Sequence, residues 1–240
     1  MHGYLRQASA VVVGAGGLGS ASSLYLALAG IGRLGLVDGD AVELSNLQRQ
    51  VIHSTPDLGR PKVESAADKL SSLRPDLRID IYPVRLTREN AQSVLAPYDV
   101  VVDACDNFAT RYLLNDACYL LGKPLSYGAV FRFEGQTSLF FPGQGPCLRC
   151  LFPEPPPPGS VPTCREAGVF GPVPGLIGCL QAMDVVRYLT GAGETYRGRL
   201  LLYDARLMTW DEVALTRDPR CPVCGDGPRI TGLADDYGAF

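Results

Sequence analysis

No apolar run in this sequence approaches the length needed to span a membrane. Met1 to Gln7 contain no apolar core of the kind a signal peptide carries, and lead directly into a first predicted strand. Excess positive charge is also missing: 22 lysines and arginines face 25 aspartates and glutamates, a net charge of -3. Nucleic acid and acidic membranes attract basic surfaces, so neither is expected as the main partner. Histidine is nearly absent, and His2 and His53 stand in no pattern with other ligands or bases, so both are expected at the surface. Internal repeats are absent as well. What is present is apolar content of 46% over 240 residues, enough for a sizeable core in one large domain. The eight cysteines, without a secretory signal, point to a reducing compartment where thiols serve metals or chemistry. The expected location is the cytoplasm.

The first half alternates two periodicities. Ala10–Val13 is a short apolar run ending in glycines, and Leu18–Ala29 reads as a buried, alanine-rich helix. Leu34–Asp38 is a second apolar run. Val63, Ala66, Ala67 and Leu70 follow at helical spacing behind Pro61. Arg78–Tyr82 and Val100–Asp103 read as strands, with a short helix capped by Thr87 between them, and Thr110–Leu121 as a helix before strand Leu125–Ala129. This alternation predicts an α/β, Rossmann-like fold, with a mainly parallel sheet and helices on both faces. Beyond Ala129 the pattern changes to an antiparallel extension. Gln136–Phe141 is a strand, a proline-rich stretch runs from Pro153 to Pro162, and helix Gly175–Thr190 and strand Arg199–Tyr203 follow. A single domain over 1–240 is expected, with a nucleotide-binding half at 10–129, a metal-bearing half at 130–240 and a mobile loop at about 151–173.

Gly14-Ala15-Gly16-Gly17-Leu18-Gly19 follows a strand and opens a helix, the setting in which glycines let phosphate approach a positive helix end. Asp38, at the end of the second strand, is spaced to accept ribose hydroxyls. A nicotinamide dinucleotide is the usual ligand of such a loop. Here Asn46, Arg49 and Lys62 add a polar and cationic set that suits a triphosphate, and Asp106, just past the fourth strand, can hold magnesium at the sheet's carboxyl edge. Together they favour ATP.

Cys147-x-x-Cys150 and Cys221-x-x-Cys224 are two knuckle pairs, and four thiolates make a closed, structural zinc site. Cys105, Cys118 and Cys179 lie in apolar contexts and read as core residues. Cys164, in Pro162-Thr163-Cys164-Arg165-Glu166, is a candidate reactive thiol beside Arg165, or else a chance loop cysteine.

Several stretches occur in one order: Val13-Gly14-Ala15-Gly16-Gly17-Leu18-Gly19-Ser20, Asp38-Gly39-Asp40, Leu44-Ser45-Asn46-Leu47-Gln48-Arg49-Gln50, Gly59-Arg60-Pro61-Lys62 and Asp103-Ala104-Cys105-Asp106-Asn107. With the cysteine pairs and Thr163-Cys164, they resemble the ThiF/MoeB/HesA family of sulfur-carrier adenylyltransferases, relatives of ubiquitin-activating enzymes. The resemblance spans roughly Ala10 to Gly225. It implies ATP-dependent adenylation of the C-terminal Gly-Gly carboxylate of a ubiquitin-like carrier, in molybdopterin, thiamine or related sulfur-transfer biosynthesis. It further implies that Gly14, Gly16, Gly17, Gly19 and Asp38 hold the nucleotide. Asp40, Asn46, Arg49, Gln50 and Lys62 would line the ATP site, with Arg49 and Lys62 toward the phosphates. Asp106 would bind Mg2+ and the four paired cysteines Zn2+, while Cys164 could attack the activated carboxylate. A homodimer and a separate sulfur-donor protein are implied too, since no sulfurtransferase domain is seen after Cys224. Relatives carry an arginine on an N-terminal arm, and Tyr4-Leu5-Arg6-Gln7 echoes that arm but stands too close to Ala10. Two other classes remain open: a non-catalytic carrier-binding adaptor, and a zinc-stabilised nicotinamide oxidoreductase, for which neither an evident catalytic Tyr-x-x-x-Lys nor an active-site histidine speaks.

Overall fold

The computed structural model describes residues 2–157, 160–162, 164–234 and 237, and at positions 2, 3, 164 and 165 the backbone only. The chain runs α1 (His2–Leu5), β1 (Ser9–Val13), α2 (Gly17–Ala29), β2 (Arg33–Val37), α3 (Lys62–Leu73), β3 (Arg78–Tyr82), α4 (Arg88–Leu95), β4 (Val100–Asp103) and α5 (Phe108–Leu121). It continues through β5 (Leu125–Phe131), β6 (Glu134–Phe140), α6 (Leu148–Leu151), α7 (Cys164–Ala167), α8 (Pro172–Thr190), β7 (Arg199–Asp204) and β8 (Thr209–Ala214). One eight-stranded sheet has the order β3-β2-β1-β4-β5-β6-β7-β8. Pairing is parallel from β3 across to β5 and antiparallel from β5 to β8.

The continuous apolar runs of β1 and β4 follow from their place at the centre of the sheet, where both faces are covered. Ala10, Val12, Val100 and Val102 face one core, with Leu26, Leu70 and Ile177 from α2, α3 and α8. Val11, Val13 and Val101 face the other, with Leu95 from α4 and Leu114 from α5. At the sheet edge β3 is partly exposed, and its sequence Arg78-Ile79-Asp80-Ile81-Tyr82 is correspondingly mixed. Asn107 starts α5 by accepting a hydrogen bond from the Thr110 amide at 2.8 Å. Helix α8 starts three residues before the expected Gly175, because Pro172 and Pro174 occupy its first turn, where a missing N–H costs nothing.

Three expectations need correction. The N-terminus does not lead straight into a strand. It forms α1, with Leu5 buried and its carbonyl accepting from the Gly32 amide at 2.9 Å. Arg6 therefore lies before the start of β1, at the sheet edge opposite the glycine loop. Strand β8 was not expected, since all six of its residues are exposed and carry no alternation. Trp210 on it stacks on Tyr203 of β7 with ring centroids 4.3 Å apart. His53 is buried rather than superficial.

Asp184 of α8 is buried and accepts the Tyr196 amide at 3.0 and 3.2 Å, tying the segment before β7 to the helix. Burial pushes its carboxyl up to about 6, with Arg187 and Arg199 opposing. A raised folded-state value means that Asp184 favours folding most below the unfolded carboxyl pKa, and that this contribution is lost as pH rises through about 6. Asp184→Asn keeps one acceptor oxygen and cannot ionise. Its stability relative to wild type should therefore rise by about 2 to 3 kcal/mol between pH 4 and pH 7. Chemical denaturation across that range checks this, and a pH-independent difference would refute it.

Candidate functional site

The strand order turns back between β1 and β4, and ligands in such sheets sit outside the carboxyl ends of the strands at that point. Two loops meet there. Gly14 leaves β1 with φ of 102°, and a Cβ on it would stand 2.4 Å from the carbonyl oxygen of Ala104, which follows β4. Gly19 in the first turn of α2 is equally confined, since its Cβ would fall on the carbonyl oxygen of Gly14. Both glycines thus serve a backbone approach that no side chain permits.

The acidic residues after β2 brace this loop. Asp38 accepts the Ala15 amide and the Asp40 amide, each at 2.8 Å. Burial raises the Asp38 carboxyl above its ordinary value, with Lys62 opposing. The Lys62 ammonium, itself buried, stands 3.2 Å from Asp40 and 3.9 Å from Asp38. Burial acts against ionisation of Asp40 too, but Lys62 and Arg85 outweigh it and hold its carboxyl below the usual range. His53 anchors the loop from beneath: Nε2 lies 2.9 Å from the Ala15 carbonyl and Nδ1 2.8 Å from Ser65 Oγ. Burial lowers its pKa, so the neutral ring is favoured.

Leu44–Asn46 form a single 3-10 turn, and the buried Asn46 ties its side chain to the Glu43 amide at 3.3 Å. That turn presents the next residues to the glycines. The Arg49 carbonyl lies 3.4 Å from where a Gly17 Cβ would be, and the Gln50 amide nitrogen 3.6 Å from that of Gly16. Gln50 is buried, yet its Oε1 has no hydrogen-bond partner among the described residues. Asp38, Asp40 and Lys62 thus stand together beside the glycine loop, and the Asn46 turn brings Arg49 and Gln50 against Gly17 and Gly16.

Asp106 lies at the β4 end of the crevice, exposed. It lines a cavity of about 480 Å³ together with Leu18, Tyr127, Phe131, Tyr203 and Asp211. Beneath Asp106 is a buried network that the sequence did not announce. Arg111 donates to Asp103 at 3.1 Å and to the carbonyls of Cys105 and Gly128 at 3.0 Å each. The Cys105 thiol donates to Asp103 at 2.8 Å, and burial raises its pKa well above normal, so it stays protonated. Gln181 of α8 ties the Asp103 and Ser126 carbonyls together at 2.8 and 3.1 Å. These residues hold the β4–α5 loop and leave the Asp106 carboxylate without a hydrogen-bond partner among the described residues.

The two knuckles meet on the far side of α5. Sγ of Cys147 lies 3.6 Å from that of Cys221, and Cys150 3.2 Å from Cys224, with all four within 4.8 Å. Zinc–sulfur bonds of about 2.3 Å place tetrahedral sulfurs about 3.8 Å apart, so four free thiols at this spacing fit one closed metal site. Between the first pair, Arg149 forms a bidentate ion pair with the buried Asp116 of α5, at 2.8 and 2.9 Å. Cys105 and Cys118 are core residues as expected, whereas Cys179 is only partly buried. The side chain of Cys164 lies outside the described residues. The expectation that no Tyr-x-x-x-Lys is present needs correction, since Tyr119 and Lys123 have that spacing of nicotinamide-dependent reductases. Tyr119, however, packs on the cysteine cluster, about 16 Å along α5 from the crevice end at ~1.5 Å per residue.

Comparison with known proteins agrees with this geometry. The model of the ThiF family matches residues 3–223. A sulfur carrier protein adenylyltransferase of Thermus thermophilus is 54% identical over 241 residues, covering 98% of this chain and 89% of that protein. A SAMP-activating enzyme E1 of Haloferax volcanii is 52% identical, covering 94% and 83%. Among solved structures, E. coli MccB with a bound MccA peptide variant superposes with a TM-score of 0.85 at 24% identity, over 93% of this chain and 69% of that one, a likeness of fold.

The backbone contact at the loop crossing makes one clear expectation. Gly14→Ala combines an unfavourable φ with a clash against the Ala104 carbonyl, and should destabilise the fold by about 2 to 4 kcal/mol. Thermal and denaturant unfolding measure this, and a loss near zero would mean that the two loops part freely.

Proposed function

The chain belongs to the ThiF family, and on that footing we propose that it uses ATP to adenylate the C-terminal Gly-Gly carboxylate of a ubiquitin-like sulfur-carrier protein. The observation that carries this reading is the meeting of the glycine loop and Asp106 at the carboxyl edge of the sheet. There Leu18 and Asp106 both line a cavity of about 480 Å³ whose walls are largely apolar, room for a peptide tail beside the nucleotide. A nicotinamide site would need a reductive centre there, and Tyr119 and Lys123 stand elsewhere.

In the reaction a carboxylate oxygen of the carrier forms a bond to the α-phosphorus of ATP. The bond from that phosphorus to the bridging oxygen breaks, and pyrophosphate leaves with the electron pair. A chain-terminal carboxyl has a pKa of about 3.5, so the nucleophile is ionised at neutral pH and no general base is required. The task is to place two anions against each other. Arg49 and Lys62 neutralise phosphate charge, Lys62 by exchanging Asp40 for phosphate. Asp38 and the amides at the start of α2, Gly17 to Gly19, orient ribose and phosphates, with Gly14, Gly16, Asp40, Asn46 and Gln50 completing the wall. The Asp106 carboxylate, without a partner among the described residues, is a hard oxygen donor suited to Mg2+, which would supply charge neutralisation at the phosphates. Cys147, Cys150, Cys221 and Cys224 hold Zn2+ as a structural ion. Cys164 acts after adenylation: its thiolate bonds to the carrier's carbonyl carbon, the bond from that carbon to the phosphate oxygen breaks, and AMP leaves with the electron pair. A separate protein supplies the sulfur. The working form is a cytoplasmic homodimer.

Two measurements test this. Asp106→Ala should lose carrier-dependent ATP–pyrophosphate exchange by at least about a hundredfold while remaining folded, whereas Cys164→Ala keeps exchange and loses any covalent link to the carrier. Normal exchange by the first variant, or none by the second, would overturn those roles. Native mass spectrometry should show two chains with one zinc each, and Cys150→Ser should lose metal and stability together. A stable, metal-free monomer would contradict both statements.

A further inference from the structure

The wall of the cavity opposite the sheet comes from the proline-rich stretch, with Phe152, Pro156 and Pro157 lining it. Between positions 153 and 158 the sequence Pro-Glu-Pro-Pro-Pro-Pro carries a single backbone N–H, that of Glu154. Such a segment cannot enter a helix or a sheet ladder, so its position has to be set by donors from elsewhere.

At its far end the Pro157 carbonyl accepts from the Ser160 amide and hydroxyl at 3.0 and 2.6 Å, while at its near end the donors come from two side chains. The Tyr112 hydroxyl on α5 reaches the carbonyls of Phe152 at 2.9 Å and Glu154 at 2.7 Å. Tyr112 is almost fully buried, and burial holds its phenol at about 12, so it remains a donor at any working pH. The carbonyl between these two, that of Pro153, accepts from Arg149 at 3.1 Å. Arg149 is fixed on Asp116 and stacks over the Tyr112 ring with 4.7 Å to the centroid. Three consecutive carbonyls are therefore held against the first half of α5, where Arg111, one residue before Tyr112, and Asp106, just ahead of the helix, line the same cavity.

We propose that Tyr112 is a positioning residue for the carrier: by fixing carbonyls 152 and 154 it holds the loop-side wall of the cavity and sets how tightly the carrier's C-terminal tail is gripped. This rests on the adenylation reading for its substrate, and on the hydrogen bonds for its mechanism. Arg149 makes the four-cysteine knuckle the second fixed point of the same wall. Adenylation chemistry at the phosphates does not pass through either residue.

The test compares Tyr112→Phe with Tyr98→Phe. Tyr98 is also fully buried and donates to Asp80 at 2.9 Å, but at the sheet's outer region among β2 and β3, so the second variant reproduces a lost internal hydrogen bond without touching the cavity. Pyrophosphate exchange is followed against a recombinant ubiquitin-like carrier ending in Gly-Gly, alongside hydrogen exchange of the segment 148–162. For Tyr112→Phe the carrier KM should rise about three- to tenfold, the size expected for one lost hydrogen bond. The ATP KM should change less, and 148–162 should exchange faster. Tyr98→Phe should do neither at a comparable loss of thermal stability. An unchanged carrier KM, or equal effects of the two variants, overturns the proposal. Absence of exchange in the wild type would instead remove the functional reading, and unaltered hydrogen exchange in Tyr112→Phe would refute the anchoring whatever the activity.

Discussion

At the carboxyl edge of the sheet, the loops leaving β1 and β4 press together so closely that the carbonyl of Ala104 lies where a side chain on Gly14 would start. This backbone contact governs the rest of the site. It fixes the glycine loop at the start of α2, and it sets the β4–α5 loop that brings Asp106 to the cavity. It also explains why the loops need so much support from below. Asp38 and His53 hold the Ala15 end, at its amide and its carbonyl, and Asp103 and Arg111 hold the other. A contact made of backbone alone offers little apolar area, so its geometry is maintained by buried hydrogen bonds around it.

The electrostatics follow the same plan. Charged groups under the loops are paired and dry, and those at the crevice surface are only loosely committed. Arg111 with Asp103 and Arg149 with Asp116 are buried pairs whose loss would strand a charge. Lys62 is shared between Asp38 and Asp40, and Arg49 makes one hydrogen bond, to the Ser45 carbonyl, among the described residues. The first group fixes shape, and the second is free to exchange partners when an anion arrives.

Much of this was legible in the chain. Uninterrupted apolar runs marked β1 and β4 because both of their faces are covered, and the glycine loop, the acid after β2 and the cysteine pairs each carry a spacing that chemistry dictates. What stayed hidden lacked any local pattern. His53 gave no sign of burial, since its partners, Ser65 and Ala15, stand 12 and 38 residues away. Tyr112, Arg149 and Gln181 acquire meaning only once α5, the knuckle and α8 are brought together. Strand β8 pairs with β7 through its backbone while all its side chains remain exposed, so neither hydrophobic period can reveal it. Tyr119 and Lys123 show the converse, a recognisable spacing placed where it has no use.

The cysteine cluster has a consequence for the unfolded chain. Its two halves are 74 residues apart, and between them lie the proline-rich stretch, α8 and both final strands. An ion joining them is a cross-link that closes that whole span. In the chain-entropy picture a covalent link over such a loop removes about 4 kcal/mol of freedom from the denatured ensemble. A disulfide would do the same only where oxidants prevail. Thiolates on a metal do it under reducing conditions, at the cost of releasing protons and competing for the ion. With an ion held there, the persistence of the second half of the domain would be linked to metal supply and pH, under reducing conditions where a disulfide gives no support.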